Sequence, residues 1–470
     1  MKRMILFVCA FILLACSTSF TETYGASLDA AFESDNLKLA PVKMPEITGE
    51  AFEFPDELWP VMGMDKPDDP YTLIGDELAR TEKHLLSVSP SGHSSIYLFG
   101  DTYVSCYDEK YRIVYPSQSR GVADEYGNLM KYYLARGMLG EEGIVYSPNG
   151  RYAAIYNSQF ILRNGQYFID PIIIDLSTGE MILTATYDNS MKSDNFGVVI
   201  TGCFSADDQY LYYIKYGNSV ENRISLYRYD LEFETTSLCC YIPYLTYYPY
   251  LCETVDGSFL VLEDVRKTED CGGVVEINKS GDEWVTTRHE FTLNGLYWHV
   301  KKLQYSAASG YAICTGDAWS SSTNSAFMVF KPENNYEGLN EYHAIGRESH
   351  EVIDLNEDDY KSTVDTYFDQ SSNRMVAELL PYTANMKTVL SPDGQYALIL
   401  TRNGTGEADS HLYLIKLEKL ECKEVRGIDA SQVVRGALGS QYTPLIEWNS
   451  ETLIIYDGEK IGAYRFEFVQ

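Results

Sequence analysis

The sequence has few basic residues for its length, and this scarcity argues against one class of partner. Lysine and arginine number 37 in 470 residues, against 68 aspartate and glutamate residues, so the formal net charge is −31. Nucleic-acid binding depends on clustered Lys and Arg, which neutralise phosphates, so we expect no nucleic-acid partner. The same charge would hold the folded body away from an anionic lipid surface.

Long hydrophobic runs are also lacking after the first fifteen residues, so no permanent transmembrane helix is predicted. The exception is the run from Met4 to Ala15, which follows Lys2 and Arg3. A short apolar run behind a basic start is typical of a signal peptide. The chain is therefore expected to be exported.

The end of that run, Leu13-Leu14-Ala15-Cys16, resembles a bacterial lipobox. The resemblance implies a lipoprotein signal peptide over residues 1–15 and lipidation of Cys16. Ordinary cleavage near Tyr24-Gly25-Ala26 is the alternative, although Tyr24 fits poorly where a small side chain is wanted. We expect a body outside the cytoplasm that meets the membrane through the lipid anchor only, and which membrane holds the anchor stays open.

Motifs for metal, redox and hydrolytic chemistry are lacking as well. The ten cysteines include no Cys-x-x-Cys spacing, and the chain contains neither His-Glu-x-x-His nor Gly-x-Ser-x-Gly. We predict no metal, no cofactor and no catalytic residue. Several of the eight cysteines after Cys16 fall in strand-like runs, where small buried hydrophobes are the favoured interpretation. Whether any of them form disulfides stays open.

A turn followed at once by a strand is what the sequence does contain, and it recurs. Ser391-Pro392-Asp393-Gly394 precedes Tyr396 to Leu400, and Ser147-Pro148-Asn149-Gly150 precedes Tyr152 to Tyr156. Proline, Asp or Asn, and Gly in this order favour a tight hairpin turn. Related turns begin at residues 89, 205, 254, 306 and 448. Most steps lie near 50 residues, which is the signature of propeller blades with four short strands each.

The Ser-Pro-Asp-Gly-x-Tyr pattern resembles the WD-like β-propeller repeat of TolB-like proteins, over residues from about 85 to 470. The resemblance implies an all-β chain that forms a single β-propeller of four-stranded blades. Seven blades are favoured, with six or eight as alternatives. The step of 85 residues between Ser306 and Ser391 is the weak point of the count, and we interpret residues 368–379 within it as an inserted hairpin.

The region before the repeats divides into two parts. Residues 16–40 are mostly polar and small, and predict a tether between anchor and body. Residues 41–84 carry prolines with apolar residues between them, such as Phe54 and Trp59, and are expected to pack on the ring or to supply its closing strand. Residues 85–470 are then the propeller, which we expect to be a monomer.

The loops between second and third strands are the predicted partner surface, because they emerge opposite the hairpin turns. Third strands are predicted at residues 168–176, 224–230, 274–278, 325–331 and 411–417. The candidate binding residues in or beside these loops are Arg223, Arg266, Asp317, Trp319 and Arg402.

Two functions fit these loops. The first is a non-catalytic binding or scaffold module for a protein, peptide or glycan partner, and this is the favoured one. The alternative is a glycosidase or lyase that acts in the central funnel with a pair of loop carboxylates. Its candidates are Asp264, Asp317 and Asp409, with Arg266 and Arg402 as anion clamps.

Tyrosine is unusually abundant, at 39 residues. Five tyrosines crowd one connection, at positions 241, 244, 247, 248 and 250. Tyrosine is favoured in recognition surfaces, but it also packs well on strands of β-proteins. Packing is favoured over binding for this cluster.

Overall fold

Strands predominate among the residues that the computed structural model describes, and the longest helix among them has ten residues. The residues it describes are 28–34, 36–42, 83–89, 94–99, 102–108, 110–116, 132–133, 144–155, 159–161, 167–168, 171–183, 198–216, 224–242, 251–263, 273–281, 283–291, 298–318, 325–355, 383–402, 410–439, 446–449, 452–456 and 461–467.

Seven sheets of four or five strands make up most of the described chain. They are numbered here in chain order. Sheet 1 contains Lys83–Val88, Ser94–Phe99, Thr102–Tyr107 and Lys110–Ile113. Sheet 2 contains Ile144–Tyr146, Tyr152–Ile155, Ile172–Asp175 and Glu180–Leu183, with Tyr115–Pro116 parallel at its edge. Sheet 3 contains Val198–Phe204, Tyr210–Tyr216, Ile224–Asp230 and Thr235–Ile242.

The remaining sheets follow the same order. Sheet 4 contains Leu251–Glu253, Phe259–Glu263, Gly273–Ser280 and Glu283–Glu290. Sheet 5 contains Trp298–Tyr305, Ala312–Ala318, Ser325–Phe330, Tyr342–Ile345 and Val352–Leu355. Sheet 6 contains Ala384–Leu390, Tyr396–Arg402, Ser410–Lys416 and Glu421–Glu424. Sheet 7 contains Ile446–Asn449, Thr452–Tyr456, Ile461–Phe466 and Leu39–Val42.

Two smaller elements complete the description. Tyr132–Tyr133, Gln159–Ile161 and Tyr167–Phe168 form a three-stranded sheet. The helix Ala430–Gly439 connects sheet 6 to sheet 7 and packs on strands of both.

The first strands of the sheets follow one another around a ring. The first strands of sheets 2 to 7 contact one another in chain order, and the first strand of sheet 7 contacts the first strand of sheet 1. Apolar side chains fill the space between successive sheets; one cluster joins sheets 3 and 4, and another joins sheets 5 and 6. The predicted all-β propeller with four-stranded blades is confirmed, and the sheet count lies within the predicted range of six to eight. The predicted inserted hairpin at residues 368–379 lies outside the described residues.

Local hydrogen bonds explain why the repeated turns form. Ser391 Oγ accepts a hydrogen bond from the Tyr396 backbone N–H at 3.0 Å. Asp393 Oδ1 accepts one from the Gln395 N–H at 3.1 Å, and Gly394 supplies the positive φ of 66°. Both hydrogen bonds recur in sheets 2 and 3, and the bond to the aspartate recurs in sheet 4. Each turn is thus specified by its own side chains, which is why the sequence pattern could predict it.

The N-terminal segment corrects the predicted boundary between tether and body. Residues 28–33 are helical, with Leu28 and Phe32 fully buried, and Leu39–Val42 pairs antiparallel with Ile461–Phe466 to complete sheet 7. The predicted tether at 16–40 therefore includes residues that belong to the body. The sequence was misleading here because few apolar side chains stand among many polar ones. The closing strand also begins earlier than the predicted segment of 41–84.

Described cysteines and tyrosines contribute to the interior. The seven described cysteines after Cys16 are free thiols, and Cys106 and Cys314 are buried. Burial raises the pKa of Cys252 to about 12 and that of Cys239 to about 11. Tyr229, Tyr396 and Tyr413 are among the largest fully buried side chains. Among the described residues, no helix combines the length and apolar composition needed to cross a bilayer.

Candidate functional site at the loop end of the ring

The ring has two ends with different structures. At the turn end lie the hairpins between first and second strands, such as residues 147–151 and 391–395. At the loop end the second strands finish, as at Ala318 in sheet 5 and Arg402 in sheet 6. The loop end is where the sequence predicts partner contacts.

Two of the five predicted binding residues lie at matching positions of neighbouring sheets. Asp317 pairs with Ser325 at the start of the third strand of sheet 5, and Arg402 pairs with Ser410 at the start of the third strand of sheet 6. Both therefore lie at the loop end.

The other predicted site residues lie outside the described residues. These are Arg223, Arg266, Trp319 and Cys16, together with Asp264 and Asp409 of the enzymatic alternative. The described structure therefore does not test whether these residues lie close together, and their roles stay predictions.

Arg402 has the geometry of a binding residue. Its side chain is half-buried, and its Nε is buried with no hydrogen-bond partner among the described residues. The Thr383 Oγ1 is likewise buried and unpartnered there, and Thr383 directly precedes Ala384, which pairs with Arg402. A buried polar atom without a partner costs free energy, so native proteins keep few of them. A donor and a hydroxyl without described partners thus lie at the loop end of sheet 6.

Lys387 is a second cation near this point, and sequence reasoning missed it. It lies in the first strand of sheet 6, where only 7% of its surface is exposed. Lys387 pairs with Leu400, and Leu400 packs in the core shared with sheet 7. Because side chains alternate along a strand, Lys387, Leu400 and Arg402 share the face toward sheet 7. The available signal was a lysine in the middle of an inner strand, Ala-Asn-Met-Lys-Thr-Val-Leu, where a lysine is seldom buried.

A backbone irregularity accompanies Lys387. The pairing register shifts between Asn385 and Lys387, which marks a β-bulge in the first strand. Register shifts also occur in the first strands of sheets 1, 3 and 5. Bulges bend a strand and re-aim its side chains, and they are over-represented beside active sites. The bulge in sheet 6 therefore helps to set the direction of Lys387.

The turn end has the opposite electrostatic character. Asp208 Oδ1 accepts a hydrogen bond from the Asn149 N–H at 3.1 Å, and Glu253 Oε2 accepts one from the Ala206 N–H at 2.8 Å. Burial raises the pKa of Asp208, and burial with the nearby Asp207 raises the pKa of Glu253. These contacts link the turns of sheets 2, 3 and 4 to one another. The turn end of these sheets is thus an acidic surface on which hydrogen bonds join neighbouring sheets.

The two ends differ in what they can bind. At the loop end, Lys387 and Arg402 are two cationic side chains on one face of sheet 6, and an arginine such as Arg402 suits a carboxylate or another anionic group. No group of three or more His, Cys, Asp or Glu side chains within the described ranges is arranged to hold a metal ion.

Comparisons with known proteins find similarity in fold only. No protein-family model matches the chain, and no curated protein matches it in sequence. An oligogalacturonate lyase in complex with manganese aligns at 11% identity with a TM-score of 0.45, over 82% of this chain and 88% of its own.

Two further solved structures give similar values. An oligogalacturonate lyase from Vibrio parahaemolyticus aligns at 10% identity and a TM-score of 0.44, over 83% of this chain and 94% of its own. The β-propeller domain of the trilobed protease from Pyrococcus furiosus aligns at 9% identity and a TM-score of 0.42, over 79% of this chain and 90% of its own. Similarity at this level carries no information on substrate or activity.

Proposed function

We propose that the protein is a lipid-anchored propeller outside the cytoplasm, which acts as a non-catalytic binding module for a protein, peptide or glycan partner. Its loop end at sheet 6 holds an anionic group of that partner through Arg402, with the buried Lys387 on the same face. The observation that carries the proposal is the place where the N-terminal segment joins the ring.

That segment reaches the body at the turn end. Asp29 receives a hydrogen bond from the Tyr396 hydroxyl and one from Lys416 Nζ, and Tyr396 pairs with Lys416 beside the hairpin turn of sheet 6. Leu28 lies twelve positions after Cys16. An extended chain of that length spans at most about 40 Å. An anchor at Cys16 would therefore keep the turn end near the membrane and direct the loop end away from it.

The charge of the body does not itself attract it to a membrane. The acidic turn end and the net charge of −31 are repelled by anionic lipid, so an acyl chain is needed for attachment. Arg402 lies at the far end, where a partner outside the cell has access to it, and Lys387 is buried on the same face.

The anchor is tested by metabolic labelling with a clickable fatty acid in a bacterial expression host. The full-length protein is expected to carry the label and to sediment with membranes, whereas Cys16→Ala loses the label. A mature N-terminus well beyond Cys16 would contradict the anchor and would leave the binding proposal intact.

The binding site is tested by crosslinking on intact cells, followed by capture of the tagged protein. Arg402→Gln is expected to lower the yield of the crosslinked partner several-fold, because the charge-assisted hydrogen bonds of Arg402 are lost. Arg151→Gln is the matched control, since Arg151 is a partly exposed arginine at the turn end. Unchanged capture in all five variants at Arg223, Arg266, Asp317, Trp319 and Arg402 would contradict the loop-end site, as would turnover of a glycan by the purified protein.

A further inference from the structure

A tyrosine with a cationic side chain over its ring recurs at the turn end of the ring of sheets. In four sheets a tyrosine follows the repeated hairpin turn and begins, or directly precedes, the second strand: Tyr152, Tyr210, Tyr311 and Tyr396. The cations over these rings are, in the same order, Arg151 at 4.9 Å, Arg228 at 4.6 Å, Lys331 at 4.1 Å and Lys416 at 5.8 Å from the ring centroid. Such contacts stabilise a positive charge without neutralising it.

In two of the four sheets a carboxylate neutralises the cation. In sheet 2, Asp175 pairs with Arg151 at 2.7 Å. In sheet 6 the carboxylate comes from outside the sheet, because Asp29 accepts hydrogen bonds from Lys416 Nζ at 2.6 Å and from the Tyr396 hydroxyl. The tyrosine and lysine of sheet 6 therefore form a carboxylate-binding site, and its occupant is a side chain of a separate peptide segment.

Sheet 5 contains the same two side chains in the same place. Tyr396 and Lys416 are directly opposite each other on the second and third strands of sheet 6. Tyr311 and Lys331 lie at the same ends of these strands in sheet 5, each one position beyond the last pair of the ladder. Tyr396 belongs to the core shared with sheet 7, and Tyr311 packs on the core shared with sheet 6. Each ring thus faces the following sheet.

Sheets 2 and 3 are built differently at this position. There the residue opposite the tyrosine is an aspartate, Asp175 in sheet 2 and Asp230 in sheet 3. Among these four sheets, only sheets 5 and 6 therefore share the tyrosine and lysine arrangement that holds a carboxylate in sheet 6.

Lys331 has no carboxylate partner within the described parts of the chain. Two acidic side chains of its own loop are engaged elsewhere, since Glu333 accepts a hydrogen bond from the Tyr305 hydroxyl and Glu337 accepts one from the side-chain amide of Asn334. Tyr311 is half-buried, and its hydroxyl forms no hydrogen bond with a described residue. A cation and a hydroxyl donor thus lie together without a described acceptor, in a chain with 68 acidic residues.

The two sites differ in the way that a bound carboxylate predicts. In sheet 6, where Asp29 is bound, Lys416 Nζ lies 5.8 Å from the centroid of Tyr396, and Tyr396 is only 1% exposed. In sheet 5, Lys331 Nζ lies closer to its ring, at 4.1 Å. A carboxylate beside the Tyr311 hydroxyl would draw this ammonium group away from the ring, because a charge-assisted hydrogen bond is the stronger contact.

We propose that Tyr311 and Lys331 bind an aspartate side chain on a peptide segment of a partner protein, as Tyr396 and Lys416 bind Asp29. The carboxylate would accept hydrogen bonds from Lys331 Nζ and from the Tyr311 hydroxyl. The site lies at the turn end, whereas the proposed function uses the loop end. The inference therefore goes beyond that function and does not rest on it.

The segment bound on sheet 6 indicates the chemistry of the partner segment. Residues 28–33 are helical, and Phe32, three positions after Asp29, packs against Tyr396 with ring centroids 5.4 Å apart. Side chains at i and i+3 are neighbours on a helix, so one helical turn presents a carboxylate and an aromatic ring to the same tyrosine. The net charge of −31 and the exposed Glu333 oppose a highly acidic segment. A single aspartate among uncharged residues, with an aromatic residue three positions later, fits best.

The probe is a fluorescent synthetic peptide, Ala-Leu-Asp-Ala-Ala-Phe-Ala with blocked ends, whose centre copies residues 28–32. We expect fluorescence anisotropy to show saturable binding to the full-length protein. Lys331→Gln is expected to weaken this binding about tenfold, because the charge-assisted hydrogen bond is lost. Lys279→Gln is the matched control and should stay within about twofold of the wild type, since Lys279 also lies over an aromatic ring, that of Trp284, but beside no tyrosine hydroxyl of this kind.

Two milder changes test the same contacts. Tyr311→Phe keeps the ring and removes only the hydroxyl, so it should weaken binding several-fold without disturbing the fold. A peptide with asparagine in place of aspartate should bind about tenfold more weakly, because it carries no charge for Lys331.

Several outcomes would overturn the proposal. They are the absence of saturable binding, equal binding of the asparagine peptide, and equal effects of Lys331→Gln and Lys279→Gln. Loss of binding in Lys416→Gln but not in Lys331→Gln would also overturn it, because the peptide would then be replacing residues 28–34 on sheet 6.

Discussion

Lys416 Nζ lies 2.6 Å from Asp29 Oδ1, a contact between residues 387 positions apart in the chain. The Tyr396 hydroxyl donates a hydrogen bond to the same carboxylate oxygen. This cluster fastens the segment that precedes the ring to sheet 6. It also places that segment at the turn end, on which the proposed orientation depends.

The first prediction concerns the stability of this fastening. Asp29→Asn removes the charge that Lys416 and Tyr396 share, and hydrogen bonds to charged groups contribute about 1.5–3 kcal/mol when sheltered. Because Asp29 is half-exposed, we expect a loss of about 1 kcal/mol in the free energy of unfolding by urea. Glu467→Gln is the control: its ion pair with Lys38 is exposed on both sides and should matter by less than about 0.5 kcal/mol. Equal losses in the two variants would contradict the assignment.

The second prediction concerns acid. Burial acts to raise the pKa of Asp29, but the hydrogen bonds from Lys416 and Tyr396 outweigh it and hold the pKa below its usual value. A depressed pKa contributes stability that is present above the unfolded-state value and is lost as the pH falls through the folded-state value. Below about pH 4, the wild type should therefore lose its advantage over Asp29→Asn. Urea unfolding from pH 3 to pH 7 measures this, and an advantage that does not shrink as the pH falls would contradict it.

Glu253 should behave in the opposite way. Its pKa is raised by burial and by Asp207, so its charged form is disfavoured in the folded protein. Its favourable contribution is present below the unfolded-state pKa and is lost as the pH rises through the folded-state value. Glu253→Gln should therefore stabilise the protein at pH 7 and leave it unchanged near pH 4. Thermal unfolding at the two pH values measures the difference, and a loss of stability at pH 7 would show that the bond to Ala206 matters more.

Two turn glycines allow the stability cost of backbone strain to be separated from the cost of steric overlap. Gly394 has φ of +66°, and a Cβ there would overlap Ser306 in the turn of sheet 5. Gly257 has φ of +78°, with nothing near the added atom. Gly257→Ala should cost about 1 kcal/mol from backbone strain alone. Gly394→Ala should cost about 2–4 kcal/mol, because overlap adds to strain. Equal costs in urea unfolding would mean that the turns of sheets 5 and 6 are not in contact.

Thiol reactivity is the last prediction. Burial raises the pKa of Cys252 to about 12, so the reactive thiolate is scarce at neutral pH. We expect iodoacetamide to leave Cys252, Cys106 and Cys314 unmodified in the folded protein and to modify all three in denaturant. Peptide mapping by mass spectrometry reads both states. Rapid modification of Cys252 in the folded protein would contradict its burial.

The fold was accessible from the sequence because its main signal is local. A turn such as Ser391 to Gln395 is closed by its own side chains, so its residue order predicts its shape. The third strand of sheet 3 was predicted at residues 224–230 and is observed as Ile224–Asp230. The candidate site was predicted only in part. Arg402 was predicted, whereas Lys387 was not, because its burial depends on how sheet 6 packs against sheet 7.

The residue order alone was enough for the repeated hairpins and the all-β class, since both follow from hydrogen bonds and side-chain alternation within a few residues. Two features required the folded chain: the docking of residues 28–34 and 36–42, and the shared face of Lys387 and Arg402. Each depends on contacts between residues far apart in the chain. Such contacts are set by how the sheets pack around the ring, and a local pattern does not encode them.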